Sequence, residues 1–257
     1  MIASQARWEL RLPADQGCQY DLQARFDRAS PQEIMKVNLC TTGSVRFEGP
    51  RPGTVFSYGT GFRISAAGHI MTNNHVVQSC GSVAVDAKGR HLPLRVAGQD
   101  PVADLAVLQQ LDMVTPFLSF RNPQSPVRVA ERAISIGYPI PDQLGDRVVT
   151  EGIVNAPTGG KGDATQYQLQ TPIQPGNSGG PIFDRNGLVI GVAVSGIDRS
   201  GTRIMQNVNF AVSPVVAARF AESLGVQLRY EPGNQELSTA DVMDRNGDRV
   251  LQLVCLN

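Results

Sequence analysis

Apolar and polar residues alternate in short stretches along most of this chain, with a period of two rather than 3.6. Residues 8 to 12 read Trp8, Glu9, Leu10, Arg11, Leu12, and residues 20 to 26 carry Tyr20, Leu22, Ala24 and Phe26 with mostly polar residues between. The pattern predicts two strands joined by a Pro/Asp/Gly turn, a β-hairpin extension over residues 1–30. From Pro31 to Leu228, short β-branched and aliphatic runs such as IMKVNL, HIMTNNHVV, DLAVL, AISIG, LVIGVAV and NFAV are separated by Gly, Pro, Asn and Asp. Such text belongs to an all-β protein of many short strands. One helix stands out, over 214–224. Pro214 suits its first position, Val215, Val216, Phe220 and Leu224 give an apolar stripe, and Gly225 ends it. The tail, residues 229–257, is polar until VLQLVCL, which reads as an extra strand or as a junction to further chain.

Bulk properties narrow the function. With 257 residues and 41% hydrophobic content, the chain can bury a substantial core without staples. No apolar run approaches the roughly 20 residues needed to cross a bilayer. Basic and acidic residues number 23 each, so bulk charge selects no partner, and no Lys/Arg cluster marks a nucleic-acid surface. The N-terminal MIASQARWEL lacks the basic start and apolar stretch of a secretory leader. The expected location is cytoplasmic, or periplasmic or secreted if a leader was removed. Cys18, Cys40, Cys80 and Cys255 form no CxxC pair, so neither a metal site nor a cofactor is expected. An oxidising compartment would allow a disulfide and a reducing one would leave buried thiols. Four cysteines permit three full connectivities, among which the spacing does not choose.

Chemistry concentrates in PGNSGGP, Pro175 to Pro181, which sets one hydroxyl, Ser178, among three glycines. Glycines on both sides let a substrate approach and let the amides of Gly176, Asn177 and Ser178 point at one spot, as an oxyanion hole requires. The bland alternative is a glycine-rich turn with an incidental serine. The string also satisfies GxSxG, the nucleophile elbow of α/β-hydrolases. That elbow needs a helix directly after the serine and a histidine later in the chain. Here GGPIFDRNG follows, and all three histidines, His69, His75 and His91, precede Ser178. The order His, Asp, Ser remains open. His75 ends an apolar stretch, whereas His69 follows Gly68 in a hairpin turn and His91 lies in a polar loop. Asp104 opens the apolar LAVL, where a carboxylate needs a partner that imidazole can supply. Asp86, Asp100 and Asp112 lie in polar loop text with the ordinary solvated explanation.

The segments GTGFRISAAGHIMTNNHVV, DPVADLAVL and PGNSGGP resemble, in order, the three catalytic segments of the HtrA (Deg) family of chymotrypsin-fold serine proteases. With NFAVSP, the likeness covers residues 31 to 225. It implies His75 as general base, Asp104 as the acid that orients it, Ser178 as nucleophile, and an oxyanion hole from the amides of Gly176 and Ser178 with Asn177 between them. The implied fold is two six-stranded antiparallel β-barrels, over 31–129 and 130–211, within a protease domain of 31–228 that ends in a short helix. Family members commonly carry PDZ domains, for which the residues after the helix leave no room. In secreted digestive relatives the residue before the serine is an aspartate that pairs with a cleaved N-terminus, and Asn177 carries no charge for such a pair. Loops 159–164 and 198–203 are candidates for control by ordering.

The same resemblance places a peptide or protein substrate against the strand Val192 to Gly196, as an added antiparallel strand contacting Val194, Ser195 and Gly196. Pro172, between Thr171 and Ile173, occupies the place where trypsin-like relatives carry an acid selecting Lys or Arg. With apolar walls from Val194 and 208–211, the expected cut follows a small or medium aliphatic residue. The rival function is a catalytically silent barrel of this fold that binds peptides.

Overall fold

The computed structural model describes residues 17–26, 29–41, 45, 53–111, 116–139, 146–194 and 208–257. They fall into two compact units, Met1–Phe56 with Asn257, and Ser57–Leu256. In the first unit, β1 (Gln19–Phe26) pairs antiparallel with β2 (Ala29–Asn38), from Gln19↔Asn38 to Phe26↔Ala29. The strand expected at 8–12 lies outside the described residues. The hairpin extends to residue 38, and the separation between units falls after Phe56 rather than after residue 30. Cys18 and Cys40 form a disulfide across the open end, where the Leu39 amide also donates to the Cys18 carbonyl. A closed loop of this size is worth about 3 kcal/mol in unfolded-chain entropy.

The second unit opens within β3 (Val55–Arg63), whose first two residues belong to the first unit, and continues with β4 (His69–Thr72), the helical turn α1 (Asn74–Val77), β5 (Ser82–Ala87), β6 (Arg90–Asp100) and β7 (Leu105–Gln109). A two-residue turn joins β5 to β6, with Lys88 and Gly89 both at positive φ, the conformation that matches the twist of a hairpin. It places His91 inside β6 opposite Asp86, not in the loop expected from its polar surroundings. Next come β8 (Phe120–Arg121), β9 (Arg132–Gly137), β10 (Val148–Ala156), β11 (Gln166–Leu169), β12 (Pro181–Phe183), β13 (Val189–Val194) and β14 (Asn209–Val212). Then follow α2 (Pro214–Ser223), β15 (Tyr230–Glu231), α3 (Thr239–Asn246) and β16 (Val250–Leu256).

Two closed six-stranded barrels result. The first runs β16-β3-β4-β7-β6-β5, so the C-terminal VLQLVCL is its sixth strand, paired with β5 at Val254↔Ala84. A disulfide between Cys80 and Cys255 adds a covalent link from the turn after α1 to this strand. The second barrel runs β12-β9-β10-β11-β14-β13 and closes through β12–β13; β8 and β15 extend it by parallel pairing.

The apolar run of β7 is buried on both faces. Ala106 and Leu108 pack inside the first barrel with Ile70, Val83, Val85 and Leu253. Leu105 and Val107 face the other way, into a core shared with Ile134, Ile136, Phe183 and Val192 of the second barrel. A strand covered on both sides reads as continuous apolar text rather than alternation. In α2 the Ser213 side chain accepts from the Val216 amide, and Pro214 starts the first turn, as expected. The buried face is Ala217, Ala218 and Ala221, whereas Val215 is exposed and Leu224 lies over Gly98. The eight-residue α3 buries little beyond Val242 and is started by a capping box between Ser238 and Asp241. Among the described residues no helix is long and apolar enough to cross a membrane.

Candidate active site

His75 lies in α1, immediately after β4, with its side chain 40% exposed; the Asp104 side chain is 5% exposed. Asp104 receives the His75 backbone amide on Oδ1 at 2.9 Å, and its Oδ2 lies 2.7 Å from His75 Nδ1. Both carboxylate oxygens are thus engaged by one residue, which fixes the ring's position and the tautomer with hydrogen on Nδ1. The price of this arrangement is local strain, since Asp104 adopts φ 57°, a region that non-glycine residues seldom occupy. Two neighbours sustain it. The Asp100 carboxylate accepts the amides of Val102 (2.9 Å) and Ala103 (3.0 Å), shaping the turn before β7. Asn73, fully buried, donates through Nδ2 to the Asp104 carbonyl at 2.9 Å. Asp100 is therefore a turn former rather than a merely solvated acid.

His69 sits in β4 with Nδ1 2.7 Å from Ser65 Oγ, away from any carboxylate partner among the described residues. Burial first, and then the nearby Arg95, hold its pKa below the ordinary histidine value.

Ser178 lies between β11 and β12 on a loop made by turn chemistry and is 4% exposed. The Asn177 amide donates to the Gln174 carbonyl at 3.0 Å, and Gly176, third in that turn, has φ 98°. A hydrogen-bonded turn with positive φ at its third residue is type II, for which Pro175 at the second position and Gly176 at the third are the favoured residues. The Asn177 amide is consumed by the turn. Gly179 follows at φ 85°, and a Cβ there would lie 2.2 Å from Thr72 Oγ1, 2.3 Å from the Thr60 carbonyl and 2.8 Å from the Asn73 nitrogen. Only glycine lets the serine loop settle against β3 and β4 this closely. The loop thus rests beside Asn73, two residues before His75. His75 and Asp104 are joined directly, and Ser178 is brought to the same strand end through its neighbour.

Of the substrate-binding residues expected, Val194 ends β13 opposite Phe210, while Ser195 and Gly196 lie outside the described residues, as does the loop 198–203. Pro172 is exposed and its carbonyl accepts from Thr150 Oγ1. Thr171 is buried and its carbonyl accepts from Asn209 Nδ2, and Ile173 packs into the second-barrel core. Thr60, Thr72 and Asn73 were not singled out from sequence, although they lie in the quoted GTGF and TNNH strings.

Comparison with known proteins identifies the family. The trypsin-like peptidase domain matches residues 59–192, and the chain belongs to that family. Within it, the chain resembles DegP/HtrA-type proteases. It is 37% identical to a probable periplasmic serine endoprotease, DegP-like, of Chlamydia pneumoniae, over 65% of this chain and 34% of that protein. It is 34% identical to the protein y4bJ of Sinorhizobium fredii, over 80% of this chain and 33% of the relative. The chain therefore spans about a third of the length of these relatives. Among solved structures, the serine endoprotease from Yersinia pestis superposes with TM-score 0.56 at 27% identity, covering 68% of this chain and 60% of that one. The HtrA-type protease AlgW with a decapeptide gives TM-score 0.55 at 27% identity, covering 65% and 51%.

Proposed function

We propose that this chain is a serine endopeptidase in which Ser178 is the nucleophile, His75 the general base and Asp104 the acid that orients it. The observation that carries the reading is the double engagement of Asp104 by His75, through the backbone amide and Nδ1. With hydrogen held on Nδ1, the Nε2 lone pair is the one left to accept a proton. As Ser178 Oγ bonds to the substrate carbonyl carbon, its proton passes to Nε2. The imidazolium, stabilised by Asp104, then gives that proton to the departing amine, leaving an acyl-enzyme that water hydrolyses by the same sequence. The developing oxyanion would be met by the amides of Gly176 and Ser178. The type II turn supports this assignment because its own hydrogen bond uses the Asn177 amide and not that of Gly176.

The substrate class is peptide or protein. In support, the similar AlgW was solved with a decapeptide. Neutral Pro172 and the apolar Val194 favour a small or medium aliphatic residue before the cut, whose burial is worth about 1.5 to 3 kcal/mol. The two disulfides and the periplasmic names of the relatives support an oxidising, extracytoplasmic compartment. A fluorophosphonate should label Ser178 covalently in the wild type, and Ser178→Ala should abolish both labelling and hydrolysis, by roughly a million-fold in kcat, with an unchanged melting transition. An unlabelled, folded wild type would mean that the barrel is silent and only binds.

A further inference from the structure

Ser178 and its neighbours present their amides correctly only if the successive peptide planes of the loop keep their orientation, and the three planes from Gly176 to Gly179 each have an identifiable partner. The plane between Gly176 and Asn177 is gripped at its amide end by the Gln174 carbonyl. Its carbonyl end accepts the Thr60 hydroxyl at 2.6 Å. The plane between Asn177 and Ser178 is held by the Gly180 amide, which donates to the Asn177 carbonyl at 3.0 Å. The plane after Ser178 is held by the Gly179 amide on the Ala193 carbonyl, and by the Thr60 amide donating to the Ser178 carbonyl at 2.9 Å. Thr60 belongs to β3 in the first barrel, and the loop lies in the second. One residue therefore grips the loop on both sides of Ser178 from the opposite barrel.

We propose that Thr60 is a positioning residue that fixes the Ser178 and Gly176 amides indirectly, by gripping the two peptide planes that flank the one carrying the Ser178 amide, the first of which also directly follows the plane carrying the Gly176 amide; the inference rests on the reading of Ser178 as nucleophile. Thr60 is fully buried, and its hydroxyl is used as both donor and acceptor, because the Tyr138 amide donates to it at 3.0 Å. Its own carbonyl accepts from Thr72 Oγ1 at 2.7 Å, and the residue after Thr72 is Asn73, which holds the Asp104 carbonyl. The support of the acid and the support of the nucleophile loop thus meet at one place on the β3–β4 pair. In this arrangement the loop is ordered from within the barrels. The residue before the serine, Asn177, is buried and uncharged, with its side-chain oxygen against Gly137.

The test uses the full chain and three variants. Thr60→Val keeps the shape and removes the hydroxyl, Thr60→Ser keeps the hydroxyl, and Thr60→Cys puts a weak donor in its place. We expect Thr60→Val to lower kcat and the fluorophosphonate labelling rate by about 100-fold with KM little changed, and Thr60→Ser to stay within about threefold of wild type. Hydrogen exchange of the Gly176–Gly180 amides should quicken in Thr60→Val while the His75 segment is unaffected. Should Thr60→Val fail to fold, Thr60→Cys takes its place, and it should fall well below Thr60→Ser in labelling rate. Equal labelling of wild type and the hydroxyl-free variant with unchanged exchange, or equal labelling of Thr60→Ser and Thr60→Cys, would overturn the proposal. A wild type that is not labelled would remove the enzymatic reading instead, while faster exchange in the variant would still uphold the grip of Thr60 on the serine loop.

Discussion

His75 and Asp104 stand 29 residues apart within one barrel and meet through two direct hydrogen bonds, whereas the loop carrying Ser178 is gripped by Thr60, 116 residues before Gly176 and in the other barrel. The first half of the site is a short-range device. Its strain at Asp104 is sustained by Asp100, close in the chain, and by Asn73, just past the end of the adjoining β4. The second half combines a local turn, dictated by Pro175 and Gly176, with a long-range contact that fixes where the turn faces. Local chemistry makes each half, and barrel docking relates them.

The comparison is broken most severely at the acid. Asp104→Asn should lower kcat by about ten-thousandfold, the scale known for serine triads, because the amide favours the wrong tautomer of His75. Asp100→Asn retains an acceptor oxygen for the Val102 and Ala103 amides and should cost less than about tenfold, since it acts only by placing Asp104. Steady-state hydrolysis of one peptide by both variants decides the point, and the reverse order would move the orienting role to Asp100.

The two barrels also differ in how they are closed. The first depends on β16 and on Cys80–Cys255, which spans 175 residues, so Cys80→Ser/Cys255→Ser should lose about 5 kcal/mol on loop-entropy grounds. Urea unfolding under non-reducing conditions measures this. Unchanged stability would show that β16 is held by packing alone. Gly179→Ala places a methyl group against Thr72 Oγ1 and the Thr60 carbonyl and should destabilise by roughly 3 kcal/mol, read from the same urea midpoint.

The smallest effect belongs to His69. Protonating it costs more in the folded protein than in the unfolded chain, because burial and Arg95 lower its pKa. Its contribution is therefore complete above about pH 6.5, the unfolded value, and is lost as pH falls through the window just below it. His69→Gln should flatten the melting temperature against pH across that window, and an unchanged slope would assign it to other groups.

The candidate site was legible because each of its parts is a local string. GHIMTNNHVV, DLAVL and PGNSGGP carry their chemistry in adjacent residues, and the absence of histidine after Ser178 removed the elbow alternative without any structure. The start of α2 was equally local, at Ser213 and Pro214. Its buried face was not. Alanines reach the barrel because the backbone comes close, and larger neighbours such as Val215 turn outward. The short α3 was passed over because its polar composition masks the one signal present, the capping pair Ser238 and Asp241.

By itself the sequence determined that the chain is a many-stranded β protein and which serine, histidine and aspartate are the candidates to act together. The tertiary structure alone decided that β2 is the partner of β1, that the C-terminal strand closes the first barrel, that Cys18 meets Cys40 and Cys80 meets Cys255, and that Thr60 grips the serine loop. Strand pairing, disulfide choice and a buried hydrogen bond across two barrels depend on distances between residues far apart in the chain. Periodicity and spacing report only on neighbours, so these relations become visible when burial brings the distant segments together.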